Sequence, residues 1–466
     1  MNLSNELIND ASDVKKSIED IQRITPRNSC FEISVPQLEA TNHDNNNGDE
    51  TASKSGAELA FDKPVARSPP TCHFSYNTLN TTNIVGEEIT AKHEQHSLTY
   101  GFILGIQVMY GHNNRHQEKK EKITTNIANE INADDYLTTL EILFPPTGFI
   151  AKSTDRTAFS TPPHKLHHAF KFKDYMPTIF KAIRAVSGID ETDYMNSVAG
   201  SFNYIEFSSN SKSGQFFFYS YDGQYMIKTQ PCEEAKFLRK IMPRYLRHLI
   251  NNPNTLICRF YGMHRLKMKN TNKVVHFIIM SSVFDTPKDI HETFDLKGST
   301  IGRKISDDDI IKGKVKKDLN WIEEGKLFQL NQISGENFIK VLQEDIIFFI
   351  SVNVMDYSLL VGIHHTNEKR LGRRFSLTKG LDIELPKSEK KSFFKNEYGG
   401  IFSADETKIY FLGIIDWLQA YNTLKYTETL FKLSTFQKAD EISCVDPIKY
   451  GKRFLHFLSE HTNYRS

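Results

Sequence analysis

The 466 residues are 39% hydrophobic and 25% charged, with a formal net charge of +1. That composition speaks against a wholly disordered chain, a collagen-like fibre or a polytopic membrane protein. The near-neutrality is a cancellation: residues 1–96 carry 8 Lys and Arg against 15 Asp and Glu, a net of −7, and the other 50 basic and 42 acidic residues give +8. Five widely spaced cysteines (Cys30, Cys72, Cys232, Cys258, Cys444) without a C-x-x-C pair indicate neither a disulfide framework nor a zinc cluster, and fit a reducing compartment. No apolar stretch approaches the ~20 residues a membrane helix needs, and no N-terminal run has the order of a signal peptide. Any contact with a membrane is expected from the side.

In chain order, residues 1–96 are rich in Asn, Ser, Thr, Asp and Glu without a sustained apolar period, and read as an acidic, mostly disordered leader. Thr99 to Tyr110 is the first dense apolar segment, an early core element or a dimer element. Phe170 to Val186 spaces its apolar residues as a helix does, with Phe180, Ile183 and Val186 on one face. Phe202 to Thr229 alternates aromatic and polar residues around two turn signals, Asn210 to Gly214 and Asp222-Gly223, which predicts three antiparallel strands ending at Met226-Ile227-Lys228. Glu233 to Leu249 is helical in pattern, Val274 to Met280 a buried strand, and Ile346 to Val352 a helix or strand of the core. The lysine-rich stretches at about 302–317 and 367–395 read as insert loops. A β-rich half with one long helix, followed by a mixed half, predicts an α+β, two-lobed enzyme. Its antiparallel N-lobe covers residues 97–282, and its mixed α/β C-lobe covers 283–466.

The chemistry concentrates at a few positions. Asn210 to Gly214 is a small, amide-rich turn able to lay N–H groups over phosphates, with Lys212 adding charge, though taken alone it reads more simply as a plain hairpin loop. Lys228 sits at the end of a strand downstream of that loop, where kinases present an ammonium to nucleotide phosphates; a solvated strand lysine is the alternative. Asp356 in Met355-Asp356-Tyr357 and Asp416 in Ile414-Ile415-Asp416 are carboxylates among apolar neighbours, which need a metal, a cation or hydrogen-bond donors. With Lys228 and Lys297 upstream, they point to a phosphate and Mg²⁺ site.

These residues, with Phe170 to Tyr175, Asn252-Pro253-Asn254-Thr255-Leu256, Phe260-Tyr261-Gly262, Asp295-Leu296-Lys297-Gly298-Ser299 and Met355 to His364, resemble the phosphatidylinositol phosphate kinases over roughly residues 97–460. The resemblance implies an α+β, two-lobed kinase-like fold and an ATP-dependent lipid kinase. Lys228 and Lys297 are then the phosphate-binding lysines, and Asp356 orients or deprotonates the inositol hydroxyl. Asp416 holds Mg²⁺ between the β- and γ-phosphates. Lys212, Ser213 and Gly214 cover the nucleotide, and Met280 with Ser282 forms the hinge whose backbone meets adenine. The loop at about 417–445 is then the activation or specificity loop, in which Lys425 and Glu428 match the type I branch. That branch phosphorylates phosphatidylinositol 4-phosphate at the 5-hydroxyl, giving the 4,5-bisphosphate. A phosphatidylinositol 5-phosphate 4-kinase and a catalytically silent phosphoinositide-binding scaffold are the alternatives.

Around that loop, Leu424 to Leu433 segregates its apolar residues as a short interfacial helix does. Lysine and arginine clusters at 165–173, 239–247, 312–317 and 387–395 suit an anionic leaflet. The expected setting is the cytoplasm, peripheral on the cytoplasmic face of a membrane, the plasma membrane above all, with a nuclear pool as a further expectation. No nucleic-acid partner is implied; a homodimer is. Four positions depart from the family pattern: Asn210 and Ser211 open the phosphate loop where Ser-Gly is usual, Lys236 stands where the helix usually has Glu, and Tyr426 replaces a loop lysine.

Overall fold

The computed structural model describes residues 86–117, 131–148, 164–200, 203–207, 215–367, 395–421 and 446–465. The first of its elements are β1 (Gly86–Glu88), α1 (His96–Gln117), β2 (Thr139–Phe144), β3 (Phe170–Tyr175), α2 (Pro177–Val186) and α3 (Glu191–Ala199). β4 (Ile205–Phe207), β5 (Phe217–Tyr219), β6 (Tyr225–Gln230), α4 (Cys232–Asn251), β7 (Phe260–Met268) and β8 (Val274–Ser281) complete the first lobe. Its eight strands form one antiparallel sheet in the order β1-β4-β5-β6-β8-β7-β3-β2.

The stretch Phe170 to Val186 is a strand and a helix rather than the single helix its apolar spacing suggested. Phe170, Phe172 and Asp174 alternate with Lys171 and Lys173, which is strand period, and Met176 then turns the chain at a φ of 49° into α2, whose first residue is Pro177. The sheet also begins inside the stretch read as leader, because β1 pairs with β4. α1 takes up the segment Thr99 to Tyr110. Phe102, Leu104, Ile106, Val108 and Met109 are all buried, as expected of a helix apolar all round. It lies hard against the sheet: a Cβ on Gly105 would stand 2.1 Å from the Phe172 ring. The Gln107 amide donates to the Ala199 carbonyl of α3 at 2.6 Å.

The second lobe contains β9 (Glu292–Leu296), α5 (Asp307–Ile311), β10 (Lys316–Lys317), α6 (Asp318–Glu323), β11 (Phe328–Asn331) and α7 (Gln332–Ser351). β12 (Ser358–His365), β13 (Ile401–Phe402), β14 (Lys408–Ile415), α8 (Pro447–Glu460) and β15 (Thr462–Arg465) follow. Five strands form a mixed sheet, β10-β9-β12-β14-β13, in which only β10 and β9 run parallel. Ile346 to Val352 belongs to the C-terminal end of the core helix α7. The stretch at 302–317 is not an insert loop. It folds as α5 and β10, and its lysines are used internally: Lys304 pairs with Glu323 at 2.7 Å, Lys314 with Asp309 at 3.0 Å, and Lys316 with Glu324 at 2.8 Å. This is an α+β fold of two lobes.

The lobes are joined by the Asn252-to-Leu256 motif. Asp345 of α7, fully buried, accepts from Thr255 Oγ1 at 2.5 Å and from the Leu256 amide at 2.8 Å, and lies 2.8 Å from His248 Nε2 at the end of α4. The next residues continue onto β14: the Ile414 amide donates to the Leu256 carbonyl at 2.7 Å and the Cys258 amide to the Ile414 carbonyl at 2.9 Å. A buried carboxylate is tolerated because its lone pairs are met. The consequence is that the end of β14, two residues before Asp416, is fixed to the first lobe. Among the described residues no helix is long and apolar enough to cross a membrane.

Candidate active site

Four chain ends converge between the two sheets. Lys228 lies in β6, Lys297 follows β9, Asp356 lies between α7 and β12, and Asp416 follows β14. Lys228 Nζ donates to Asp416 Oδ1 at 2.7 Å, a contact 188 residues long in sequence, and sits 5.3 Å over the Phe217 ring. Lys297 Nζ donates to Asp356 Oδ1 at 2.7 Å and to the Asp356 carbonyl at 2.8 Å. Burial resists ionisation of Asp416, but the Lys228 ammonium, bonded to it, and Lys297 nearby hold its carboxyl below the usual carboxylate range. The two lysine–aspartate pairs therefore share one field.

Both aspartates occupy the left-handed region, Asp356 at a φ of 64° and Asp416 at 57°. Such backbone persists only where its surroundings enforce it. For Asp356 these include the Lys297 bonds, the buried Tyr357 ring stacked on Phe349, and the Tyr450 hydroxyl of α8 donating to the Tyr357 carbonyl. Trp417, buried against Phe260 and Tyr245, anchors the residue after Asp416.

The Lys297 loop is shaped by Asp318, the fully buried first residue of α6. Its Oδ1 accepts from the amides of Lys297 at 2.8 Å and Gly298 at 2.7 Å, while Oδ2 accepts from Arg303 Nε at 2.6 Å. Gly298 has a φ of 66°, and a Cβ there would meet Phe457 of α8 at 3.1 Å, which accounts for glycine in this motif. Arg303 also donates to Asp295 Oδ1 at 2.6 Å, and Ser358 donates to Asp295 Oδ2 at 3.2 Å. Beside them, burial first, then Arg303 and Lys297, pull the Lys317 amine below its ordinary value. Sequence reasoning missed Arg303, Lys317 and Asp318. Only Asp318's amide contacts and the β9–β10 pairing bring them to Lys297.

The structure also distinguishes two glutamates of α4 that the sequence left equivalent. Glu233 is exposed and pairs with Lys236 at 2.8 Å. Glu234 faces inward: burial raises its carboxyl, opposed by Lys228, with Asp416 adding to the rise. Glu234 is thus the helix acid in the field of Lys228, and Lys236 at the departing position points to solvent. A groove of about 270 Å³, lined by Glu233, Glu234, Phe237, Lys240, Leu418 and Ala420, separates α4 from the residues after Asp416.

Of the other expected positions, Met280 is buried near the end of β8, opposite Met226. The Ser282 amide donates to the Gln224 carbonyl at 3.0 Å and the Ser281 amide to the Arg259 carbonyl at 2.9 Å. Those two N–H groups are committed, so the hinge reading narrows to carbonyl oxygens and the Val283 amide. Lys212, Ser213, Gly214, Lys425 and Glu428 lie outside the described residues.

Residues 199–461 match the family model described as Phosphatidylinositol-4-phosphate 5-Kinase. Phosphatidylinositol 4-phosphate 5-kinase its3 of Schizosaccharomyces pombe is 32% identical over 426 residues, covering 80% of this chain and 54% of the relative. Phosphatidylinositol 4-phosphate 5-kinase 6 of Arabidopsis thaliana is 31% identical over 411 residues, with 80% and 54% covered. The chain spans about half the length of these curated relatives. With a matched region that takes in all four residues of the two lysine–aspartate pairs, the chain belongs to the phosphatidylinositol-4-phosphate 5-kinase family.

Proposed function

We propose that the chain transfers the γ-phosphoryl group of ATP to the 5-hydroxyl of phosphatidylinositol 4-phosphate, yielding ADP and phosphatidylinositol 4,5-bisphosphate at the cytoplasmic face of an anionic membrane. The observation that carries this reading is the meeting of Lys228–Asp416 with Lys297–Asp356 from four separate elements. The printed names of the relatives support the same substrate.

Phosphoryl transfer asks for positioning and charge neutralisation more than for covalent chemistry. Lys228 and Lys297 supply cations for the phosphate oxygens, each already aimed by a carboxylate. Asp356 accepts the proton of the attacking hydroxyl as the new oxygen–phosphorus bond forms and the bond to ADP breaks. Its bond from Lys297 orients that carboxylate. The donor set fits Mg²⁺ through Asp416, a hard oxygen ligand beside Lys228, and the bound ion would neutralise phosphate charge there. Glu234 is placed to take over the Lys228 ammonium when Asp416 turns to a cation. Lys317, crowded beside Arg303 and Lys297, gains from an anion, which suits a phosphorylated head group.

Thin-layer separation of labelled products after incubation with ATP, Mg²⁺ and each of the three phosphatidylinositol monophosphates in turn tests the proposal. Labelled 4,5-bisphosphate made chiefly from the 4-phosphate is the expected result. A product made chiefly from the 5-phosphate would replace it with the 4-kinase reading, and folded protein giving no product would replace it with the scaffold.

A further inference from the structure

Lys297 and Asp356 meet at 2.7 Å, yet they belong to loops 59 residues apart, one after β9 and one before β12. The helix α8 is seated on both. It presents Tyr450, Gly451, Phe454, Leu455 and Leu458 to the core, a stripe at helical spacing. At the first loop, a Cβ on Gly298 would lie 3.2 Å from the Arg453 carbonyl oxygen and 3.3 Å from Phe454 Cα, so the backbones of loop and helix nearly touch. At the second, the Tyr357 ring packs edge-on with Tyr450 at 4.7 Å and with Phe454 at 5.1 Å. The helix has little room to move, because a Cβ on Gly451 would stand 2.7 Å from Ile346 of α7.

This apolar seat carries a polar contact aimed at the Asp356 loop. The Tyr450 hydroxyl donates to the Tyr357 carbonyl, and both residues are fully buried. One residue earlier, the Asp356 carbonyl accepts from Lys297 Nζ at 2.8 Å. Two consecutive carbonyls are thus held from different elements, just after the left-handed turn at Asp356. Burial does not by itself recruit such a bond here. The Tyr357 hydroxyl is buried in the same cluster, 3.5 Å from where a Cβ on Gly451 would lie, and has no hydrogen-bond partner among the described residues. Burial, then the charges of Asp356 and Tyr357, pushes the Tyr450 phenol well above its ordinary range, so it keeps the proton it donates.

We propose that Tyr450 is a positioning residue for phosphoryl transfer. Through the Tyr357 carbonyl it fixes the backbone that carries Asp356, so that the carboxylate stands against Lys297 and faces the attacking hydroxyl. With the Gly298 turn packed on the same helix, α8 keeps the two halves of the pair in one frame. Displacing a reacting group by about 1 Å can cost about 10²-fold in rate, so one distant hydroxyl has leverage on kcat. The effect on rate rests on the kinase reading; the hold on the Asp356 backbone does not.

Tyr450→Phe removes the hydroxyl and keeps the ring that packs on Tyr357 and Phe454. Leu458→Val, two turns along the same buried stripe, controls for lost stability alone. At saturating ATP and phosphatidylinositol 4-phosphate, Tyr450→Phe is expected to lower kcat about tenfold to a hundredfold, with the KM for ATP within about twofold. Leu458→Val should lower Tm and leave kcat unchanged. In an Asp356→Asn background, Tyr450→Phe should cost less than about twofold, because losses that act through one group do not add. Met355-Asp356 is the one Met–Asp pair in the sequence. Protein with heavy carbon at the methionine carbonyl and heavy nitrogen in aspartate therefore gives a single carbonyl–amide NMR signal, that of Asp356. It should move in Tyr450→Phe and stay in Leu458→Val, and it needs no activity. An unmoved signal, an unchanged kcat, or an equal loss in the Asp356→Asn background overturns the positioning role. Wild-type protein that makes no product overturns the kinase reading and the effect on rate with it, while the Asp356 signal still decides whether Tyr450 holds that backbone.

Discussion

Asp356 and Asp416 carry opposite burdens although each meets a lysine at the same 2.7 Å. Asp356 is held twice by Lys297, through its carboxylate and its carbonyl, so the side chain can change without losing the loop. Asp356→Asn keeps an oxygen for Lys297 but cannot take a proton. It is expected to lower kcat by about 10²–10⁴-fold with little change in the KM for ATP, measured under saturating lipid. A loss of less than tenfold would move the proton acceptor elsewhere. Glu292 gives the clearest pH signature. Although burial opposes it, the Lys326 ammonium and the His365 ring hold its carboxyl down to about 2. The folded value is the lower one, so its stabilisation is fully present above the unfolded value of about 4.5 and is lost as pH falls toward 2. Glu292→Gln should therefore lower Tm at pH 7 and flatten its acid decline below about pH 4.5, followed by scanning calorimetry.

Among the elements, α1 shows a rule reversing under packing. Glycine in a helix ordinarily costs about 1 kcal/mol against alanine, so Gly→Ala should stabilise. At Gly105 the added Cβ would meet the Phe172 ring at 2.1 to 2.5 Å, and Phe172 is itself fully buried. Overpacking of this kind costs about 1–3 kcal/mol, so Gly105→Ala is expected to destabilise in urea titration, opposite in sign to the propensity. The same balance decides what could be read from sequence. The strand lysine, both aspartates, the three strands ending in β6, and α4 were legible because period and motif are local. The division of Phe170 to Val186 was not, because six residues of strand alternation merge into a helical stripe unless the turn at Met176 is known. Asp345 with His248 is 97 residues apart, and neither residue has an unusual neighbourhood in the chain. Tyr450 meets the Tyr357 carbonyl across 93 residues, a contact that only the seating of α8 creates.

For the whole molecule, the charge division by sequence moves with the fold. β1 starts at Gly86, and residues 1–85 before it carry 7 Lys and Arg against 12 Asp and Glu, a net of −5 that leaves +6 on the remainder. Several cations of that remainder are already spent: Lys304, Lys314 and Lys316 pair inside the second lobe, and Arg303 serves Asp295 and Asp318. The solvent-facing row of α4, Arg239, Lys240, Arg244 and Arg247, is exposed, and the helix's one exposed acid, Glu233, is already met by Lys236, so the row adds to the usable positive field. Each such cation near an anionic leaflet is worth at most about 1 kcal/mol, and acidic residues on the same chain subtract from that attraction. Removing residues 1–85 is expected to tighten binding to phosphatidylserine-containing vesicles, on the order of a few-fold at ~0.1 M salt, where the Debye length is ~10 Å. The gain should disappear near 1 M salt, where that length falls to ~3 Å. Sedimentation of full-length and shortened chains across this salt range measures it. A gain that survives high salt would mean the segment covers a surface instead of opposing a field, and no gain at any salt would leave it without an electrostatic part in recruitment.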